Sequence, residues 1–320
     1  MAIQLELDLF GIPNGISIIP TSEISSNSKL QWSYSRRGTL EQCPRRYYYQ
    51  HYAANSRTAK AETNKKKISS LKQLTNRYLR TGNILHLVIR TYFKHRQQGK
   101  EPSWDRLLSW AADIYQRDLE YSIHQSSSTK TTFKPVTLLE FYYNYLDART
   151  LWQESLEQLL IALKHFFTSP TLEPFRIGGS RSGALIEKRI TLKEKHFTAC
   201  GQIDLAYPDN SRTVLADWKI GTPNSGNENL QLQVYALWLA QQFQSPSNCI
   251  DLYQVHLKND CVSAFTIQDK DLQRAKSRII QDLERMQVVD RYGQNAVVDA
   301  FTPCKQQRVC NLCPFQEVCQ

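Results

Sequence analysis

The stretch TVLADWKIGT, residues 213–222, places two charged side chains inside an apolar run. A short apolar run bounded by turn residues is typical of a buried strand. Successive side chains of a strand point to opposite faces, so Asp217 and Lys219 share one face and Trp218 points to the other. The stretch therefore predicts a strand that carries either a structural ion pair or a functional site.

The segments around this strand predict an α/β core. The runs ALIEKRITL (184–192) and FTACGQIDLAY (197–207) precede it as two more strands, separated by turn-forming residues. A helix over 227–243, a fourth strand over 249–257 and a helix from about 269 to 286 follow it. Before Pro170 apolar residues recur at three- and four-residue spacing, which indicates helices. The predicted fold is a core of strands and helices preceded by a large helical region.

Four regions follow from these changes of pattern. They are an N-terminal arm over 1–30, a helical region over 31–170, a core over 171–300 and a cysteine-rich segment over 301–320.

Carboxylates gather on the three consecutive strands. Asp204 lies on the strand before Asp217, across a tight predicted turn, and Glu187 on the first strand can add a third carboxylate. Paired carboxylates with waters suit Mg²⁺ or Mn²⁺. Lys219 can orient an attacking water or neutralise charge on a phosphate. The alternative is an edge salt bridge between Asp217 and Lys219, with Asp204 as a turn-facing acid.

This pattern of acids resembles the PD-(D/E)XK nuclease superfamily and, within it, the RecB-like nucleases. The superfamily has an acid on one strand and (D/E)-x-K on the next, which Asp204, Asp217 and Lys219 match. Ile203 precedes Asp204 where the motif has proline, a departure that the family tolerates. The resemblance implies a restriction-endonuclease-like core with a mixed sheet.

Two helical motifs extend the resemblance. Gln231 and Tyr235 match the family's Gln-x-x-x-Tyr motif, and Gly82 and His86 match its G-x-x-x-H motif. The resemblance implies that His86 joins the metal shell and that Gln231 and Tyr235 help to hold the active site and the DNA backbone. An amphipathic helix pair and a packed or surface histidine are the structural alternatives.

Cysteines crowd the C-terminal segment. Cys310, Cys313 and Cys319 follow a metal-type spacing, and Cys43 precedes a proline upstream. Four thiolates accept either zinc or an iron–sulfur cluster, so the spacing leaves both open. The resemblance to iron–sulfur RecB-like nucleases, including CRISPR-associated exonucleases, implies a 4Fe-4S cluster on these four residues. Cys304 is a spare that could replace one ligand, and unrelated buried thiols are the alternative.

The charge of the chain favours a polyanionic partner. Forty Lys and Arg against thirty Asp and Glu give a formal net charge of +10. Candidate DNA contacts are Lys65, Lys66, Lys67, Arg45 and Arg46. The lysines are equally consistent with a solvated helix face, and Tyr47–Tyr49 with either a stacking surface or core packing. No apolar run approaches eighteen residues, so we expect a cytoplasmic protein without a membrane span.

The resemblance implies a metal-dependent DNA nuclease, with an exonuclease as the favoured form, in DNA repair, recombination or CRISPR-type processing. No G-x-x-x-x-G-K-[ST] motif occurs, so a helicase motor would be a separate partner. The alternatives are a non-catalytic DNA-binding or assembly subunit with a structural metal cluster, and a zinc-stapled nucleic-acid-binding module.

Overall fold

The computed structural model describes residues 31–53, 61–124, 134–221, 229–293 and 298–319. The predicted N-terminal arm lies outside these residues. The helices are α1 (Tyr34–Gln42), α2 (Pro44–His51), α3 (Ala61–Leu71), α4 (Arg77–Gln97), α5 (Trp104–His124), α6 (Leu139–Tyr142), α7 (Ala148–Thr168), α8 (Glu173–Ser180), α9 (Leu230–Phe243), α10 (Asp269–Gly293) and α11 (Gln307–Cys310). The strands are β1 (Leu185–Lys193), β2 (Thr198–Asp209), β3 (Arg212–Lys219), β4 (Ile250–His256) and β5 (Cys261–Phe265).

The described strands form one mixed sheet in the order β1-β2-β3-β4-β5. β2 pairs with β3 and β4 pairs with β5 antiparallel, whereas β3 and β4 are parallel. Helix α9 supplies the crossover that a parallel neighbour requires. The α/β prediction with a mixed sheet and a preceding helical region is confirmed.

The fifth strand was not predicted. β5 is five residues long, and its side chains are mostly half-buried without a clear alternation. Asp260 precedes it with a φ of +49°, which closes the turn from β4. Four strands were expected because so short a segment carries little periodicity of its own.

The chain divides into two compact units. One comprises Leu74–Ile190 and Gly201–Ala275. Its core joins the sheet to the helices through Trp218, which is 1 % exposed. The Trp218 ring lies edge-on to Phe166 and Phe175, with centroid distances of 5.6 and 6.0 Å. Trp218 therefore anchors β3 against α7 and α8 from the face opposite Asp217.

The other unit comprises, among the described residues, 31–53, 61–73, 191–200, 276–293 and 298–319. Trp32 forms a parallel bridge with Ala199, and its Nε1 donates to Asp282 Oδ2 at 3.0 Å. Arg37 and Arg278 each approach the same buried carboxylate to 3.1 Å. This buried charge is stabilised because it is both paired and hydrogen-bonded.

The predicted boundaries of the four regions stay predictions, since these units are defined by contacts and not by sequence pattern. Among the described helices, none has the length and apolar character needed to cross a membrane.

We expect His51 to make the stability of the protein pH-dependent. Burial, aided by Arg36 and Lys72, lowers the pKa of His51 to about 4. Because this folded-state pKa lies below the unfolded value of about 6.5, the stabilisation is complete above pH 6.5 and is lost as the pH falls towards 4. Between pH 7 and pH 5 we expect a loss of about 1–2 kcal/mol after solvent screening.

Urea unfolding of the wild type and His51→Phe at both pH values measures this loss. Phenylalanine keeps a ring against Tyr47, whose centroid lies 4.6 Å from that of His51. The variant should lose less stability on acidification. Equal losses in the two proteins would show that His51 is not the titrating group.

Candidate active site

Strands β2 and β3 bring two buried aspartates to one point of the sheet. Their antiparallel register pairs Leu205 with Ala216, and Asp204 and Asp217 follow at the next step. The backbone N–H of Trp218 donates a hydrogen bond to Asp204 Oδ2 at 2.8 Å. Asp204 is 6 % exposed and Asp217 is 2 % exposed. Because water is excluded here, the repulsion between the two carboxylates is strong.

Helix α4 adds an imidazole to the aspartates. His86 Nδ1 lies 2.8 Å from Glu187 Oε1 and 3.5 Å from Asp204 Oδ1. The ligand atoms of these three side chains lie within 4.8 Å of one another. Within the described part of the chain, no other group of three or more histidine, cysteine or acidic side chains is as compact.

Glu187 reaches this group through an unusual backbone conformation. Its φ is +48°, although it lies within β1 and is not a glycine. Such a conformation costs a residue with a Cβ about 1–2 kcal/mol. Gln202 Nε2 donates to Glu187 Oε2, while His86 approaches Oε1. Both carboxylate oxygens are thus held, and the backbone cost indicates a side chain positioned for function.

Lys219 is held by contacts on two sides. Its Nζ lies 2.6 Å from Asp217 Oδ2 and donates to Gln231 Oε1 at 3.1 Å. Gln231 Nε2 in turn donates to Tyr235 OH at 2.9 Å, one turn further along α9. The Lys219 side chain remains 34 % exposed. This chain of contacts fixes an ammonium beside the buried carboxylates at a point open to solvent.

Gly201 permits the close approach of Tyr235 to β2. A Cβ at residue 201 would lie 2.6 Å from Tyr235 Cε1. Tyr235 is only 5 % exposed, so its ring has little room to move away. Because Gly201 has no side chain, the Tyr235 phenol can lie where it accepts a hydrogen bond from Gln231.

Burial and neighbouring charges change the pKa values of the side chains in this site. Burial lowers the pKa of His86, but the carboxylates of Asp204, Glu187 and Asp217 outweigh this and raise it to about 9. Burial and the Asp217 carboxylate raise the pKa of Asp204 well above its usual range. Burial also raises the pKa of Tyr235, with contributions from both aspartates. The carboxylates thus raise the pKa of both His86 and Asp204, and a cation bound among them would offset their negative field.

The donor set fits a divalent cation. It offers one imidazole nitrogen and carboxylate oxygens from Glu187 and Asp204, a mixture within the range of Mn²⁺, and of Mg²⁺ with waters completing the shell. Asp217 Oδ2 is buried and makes no hydrogen bond among the described residues, its neighbour being the Lys219 ammonium. Asp217 can thus supply a further oxygen.

The predicted cluster cysteines lie in the other compact unit. Cys43 Sγ accepts hydrogen bonds from the backbone N–H groups of Arg46 and Cys304, each at 3.3 Å. Burial raises the pKa of Cys313 to about 11, and Cys43 and Cys319 are close enough to contribute. A metal or cluster bound here would have to displace thiol protons.

The aromatic and basic segment at residues 45–49 packs against the C-terminal segment of the same unit. Tyr47, Tyr48 and Tyr49 are at most 7 % exposed, which favours core packing over a stacking surface. Arg45 Nε donates to the carbonyl oxygen of Phe301 at 2.8 Å. The structure thus gives Arg45 a partner within the chain.

The other candidate DNA contacts differ in their surroundings. Arg46 and Lys65 are half-buried and Lys66 is exposed. Lys67 Nζ lies 2.6 Å from Glu317 Oε2. The DNA-binding role of these residues and of Arg45 stays a prediction.

The sequence matches the model of the PD-(D/E)XK nuclease superfamily over residues 31–320. The chain belongs to this superfamily. A PD-(D/E)XK nuclease cleaves phosphodiester bonds with divalent metal ions, and the group formed by His86, Glu187 and Asp204 is a candidate metal site of that kind.

The crystal structure of a protein designated SSO0001 is similar to this PD-(D/E)XK chain with 16 % identity and a TM-score of 0.32, covering 66 % of this chain and 96 % of that one. Comparison with curated proteins gives no match.

The structure adds two residues to those that the PD-(D/E)XK motifs indicated. Gln202 holds Glu187, and Gly201 gives room to Tyr235. Gln202 precedes Asp204 by two positions, so the period of a strand could have placed it on the same face. The contact between Gly201 and Tyr235 joins β2 to α9, and no local sequence pattern predicts it.

We expect Gln202→Ala to weaken metal binding. Without the amide, one oxygen of Glu187 loses its partner and the costly backbone conformation loses support. Removal of a group that orients a metal ligand typically costs about 10–100-fold in metal affinity. Titration of the full-length protein with Mn²⁺, followed by electron paramagnetic resonance, measures this change.

Gln116→Ala is the matched control, because the Gln116 amide also donates to a glutamate, at 3.0 Å, on the exposed side of α5. It should bind Mn²⁺ as the wild type does. Unchanged affinity in Gln202→Ala would show that Glu187 keeps its position without Gln202.

Proposed function

We propose that this nuclease is a RecB-like DNA exonuclease that hydrolyses phosphodiester bonds. The observation that carries the proposal is the joining of His86, Glu187 and Asp204 in one compact group beside the Asp217–Lys219 pair. The G-x-x-x-H and Gln-x-x-x-Tyr motifs of the RecB-like nucleases supply His86, Gln231 and Tyr235 to this site. The formal charge of +10 favours a nucleic acid as the substrate.

The proposed roles follow from the contacts. Asp204, Glu187, His86 and Asp217 would hold Mg²⁺ or Mn²⁺. A divalent cation bound there would supply Lewis acidity toward the attacking water and the scissile phosphate. Lys219, fixed by Asp217 and Gln231, orients the water and stabilises negative charge that develops on the phosphate.

A non-catalytic DNA-binding subunit is the alternative. Two buried aspartates repel each other, and this repulsion costs stability. A subunit that only binds DNA would gain nothing from keeping them beside a hydrogen-bonded lysine. The intact Lys219–Gln231–Tyr235 chain therefore favours catalysis.

We also propose that Cys43, Cys310, Cys313 and Cys319 hold a 4Fe-4S cluster. Cys43 Sγ accepts a hydrogen bond from the backbone N–H of Cys304, and Cys43, Cys304 and Cys319 all contribute to raising the pKa of Cys310. The thiols of the two segments are therefore close together. The resemblance to iron–sulfur RecB-like nucleases favours the cluster over a zinc ion, which the same four thiolates could also bind.

The proposed cellular setting rests on the cysteines and on the motifs. None of the eight cysteines, all of which lie among the described residues, forms a disulfide, which suits the reducing cytoplasm. The partner would be DNA delivered by a separate helicase or other DNA-processing subunit, in repair, recombination or CRISPR-type processing.

Two variants test the active site by separating metal binding from chemistry. Asp204→Asn keeps an acceptor for Trp218 N–H but loses a charged ligand, so we expect it to lose both cleavage and the rise in melting temperature caused by Mn²⁺. Lys219→Met should keep that rise and lower the cleavage rate by about 10²–10³-fold. Cleavage of end-labelled linear and closed circular DNA, single and double stranded, provides the rates.

The circular substrates separate the two forms of nuclease, because an exonuclease spares closed circles. Cleavage that persists in Asp204→Asn would rule out this site. A wild type that binds Mn²⁺ and cuts no DNA would instead support the non-catalytic subunit.

For the cluster, protein purified without air should be brown, absorb at around 400 nm and contain about four irons per chain. Cys313→Ser should lose the iron and unfold at a lower temperature, because the cluster closes a loop from residue 43 to residue 319. Cys304→Ser is the matched control and should keep the iron. A colourless protein that holds one zinc would contradict the proposal.

A further inference from the structure

The helix that supplies His86 exposes two large hydrophobic side chains near its start and has a glycine close to them. Leu79 and Gly82 lie about 20° and about 40° from His86 around α4, and Tyr78 lies about 80° from it. Tyr78 is 55 % exposed and Leu79 is 54 % exposed. Ile84 and Val88 point to the opposite side of α4 and are buried in the core, and Leu85 and Ile89, about 100° and about 60° from His86 around the helix, are buried there as well. The first turn of α4 therefore exposes Tyr78 and Leu79 beside the part of the helix that packs into the core.

Tyr78 is held in one orientation although it is exposed. The Arg77 guanidinium carbon lies 4.4 Å from the centre of the Tyr78 ring, and Nη2 donates to the phenol oxygen at 2.9 Å. Arg77 is itself paired with the buried Glu140 at 3.1 Å. An oriented aromatic ring beside a cation is the usual platform on which proteins stack an unpaired base.

Gly82 has no packing reason to be a glycine. Among the described residues, a Cβ at this position would meet no atom within 4 Å. A glycine inside a helix costs about 0.5–1 kcal/mol relative to alanine. The missing side chain clears the helix surface between Tyr78 and His86, as a backbone that approaches the helix closely would require.

We propose that this face of α4 binds the single-stranded DNA that enters the active site. Tyr78 stacks on one base of the strand, and the sugar-phosphate backbone passes over Gly82 towards the metal site at His86. The eight residues from Tyr78 to His86 span about 12 Å of helix. At a spacing of about 3.4 Å or more per nucleotide, the stacked base lies two to four nucleotides from the scissile phosphate. This proposal deepens the proposed nuclease function and rests on it for the position of that phosphate.

The test measures the affinity of the protein for a set of DNA strands, each of which lacks the base at one position. Full-length protein, purified without air and kept in EDTA to prevent cleavage, is titrated into fluorescent 15-nucleotide strands, each with one abasic position. For the wild type, affinity should fall by about 5- to 150-fold when the missing base is the one that stacks on Tyr78. The affinity of Tyr78→Ala for the intact strand should be lower than that of the wild type by the same factor. Removal of that base should not lower the affinity of this variant further.

Ile177→Ala is the matched control for Tyr78→Ala. Ile177 is 52 % exposed and lies on α8. This variant should bind every strand as the wild type does.

A second variant separates binding from folding. Gly82→Gln fits the open space and improves helix propensity, so its melting temperature should equal or exceed that of the wild type. Its affinity for single-stranded DNA should nevertheless fall at least tenfold. Gly38→Gln on α1 is the matched control, because Gly38 is also helical and also has no atom within 4 Å of a Cβ. It should leave DNA binding unchanged.

Three results would overturn the proposal. Wild-type affinity in both Tyr78→Ala and Gly82→Gln would leave this face free for a protein partner. Equal losses at all abasic positions would indicate backbone contacts without stacking, and a loss confined to double-stranded DNA would indicate a duplex. A wild type that shows the position-specific loss but cuts no DNA with Mn²⁺ would leave the DNA contact standing and refute the proposed exonuclease.

Discussion

The antiparallel register of β2 against β3 is the constraint on which the site depends. It places Asp204 opposite Asp217 and lets the Asp204 carboxylate take the N–H of Trp218. A slip of one residue would turn every side chain of a strand to the other face. Trp218 would then leave the aromatic core, and Asp217 would enter it. The fold thus protects the geometry of the site, because the same register buries the tryptophan and pairs the acids.

The core strands and the acid positions could be predicted from the sequence because they obey local rules. Period-two alternation places Asp217 and Lys219 on one face, and a turn signal places Asp204 on the neighbouring strand. The positive φ of Glu187 could not be predicted, since glutamate has no preference for that region and the stabilising contacts come from α4 and β2. β5 was missed for a related reason. It is a strand because it pairs with β4, and its own short sequence does not indicate this pairing.

The region around the cysteines shows a different limit of sequence analysis. The run of three tyrosines after Cys43 has the composition of a base-stacking surface, but the rings are buried. Tyr48 stacks on Phe301 and Tyr49 lies against Phe315, with centroid distances of 4.7 and 5.3 Å. These contacts join residues more than 250 positions apart. Local composition cannot distinguish such packing from a binding surface, because both use aromatic rings.

The left-handed backbone of Glu187 has a consequence for engineering. Glycine adopts this conformation without the steric cost that a Cβ imposes, so Glu187→Gly would remove the strain together with the carboxylate. A selection for thermal stability alone would favour the loss of this acid where the relief of strain outweighs its contacts with His86 and Gln202. Thermostable variants obtained without a selection for activity would then tend to lose the carboxylate that contacts His86.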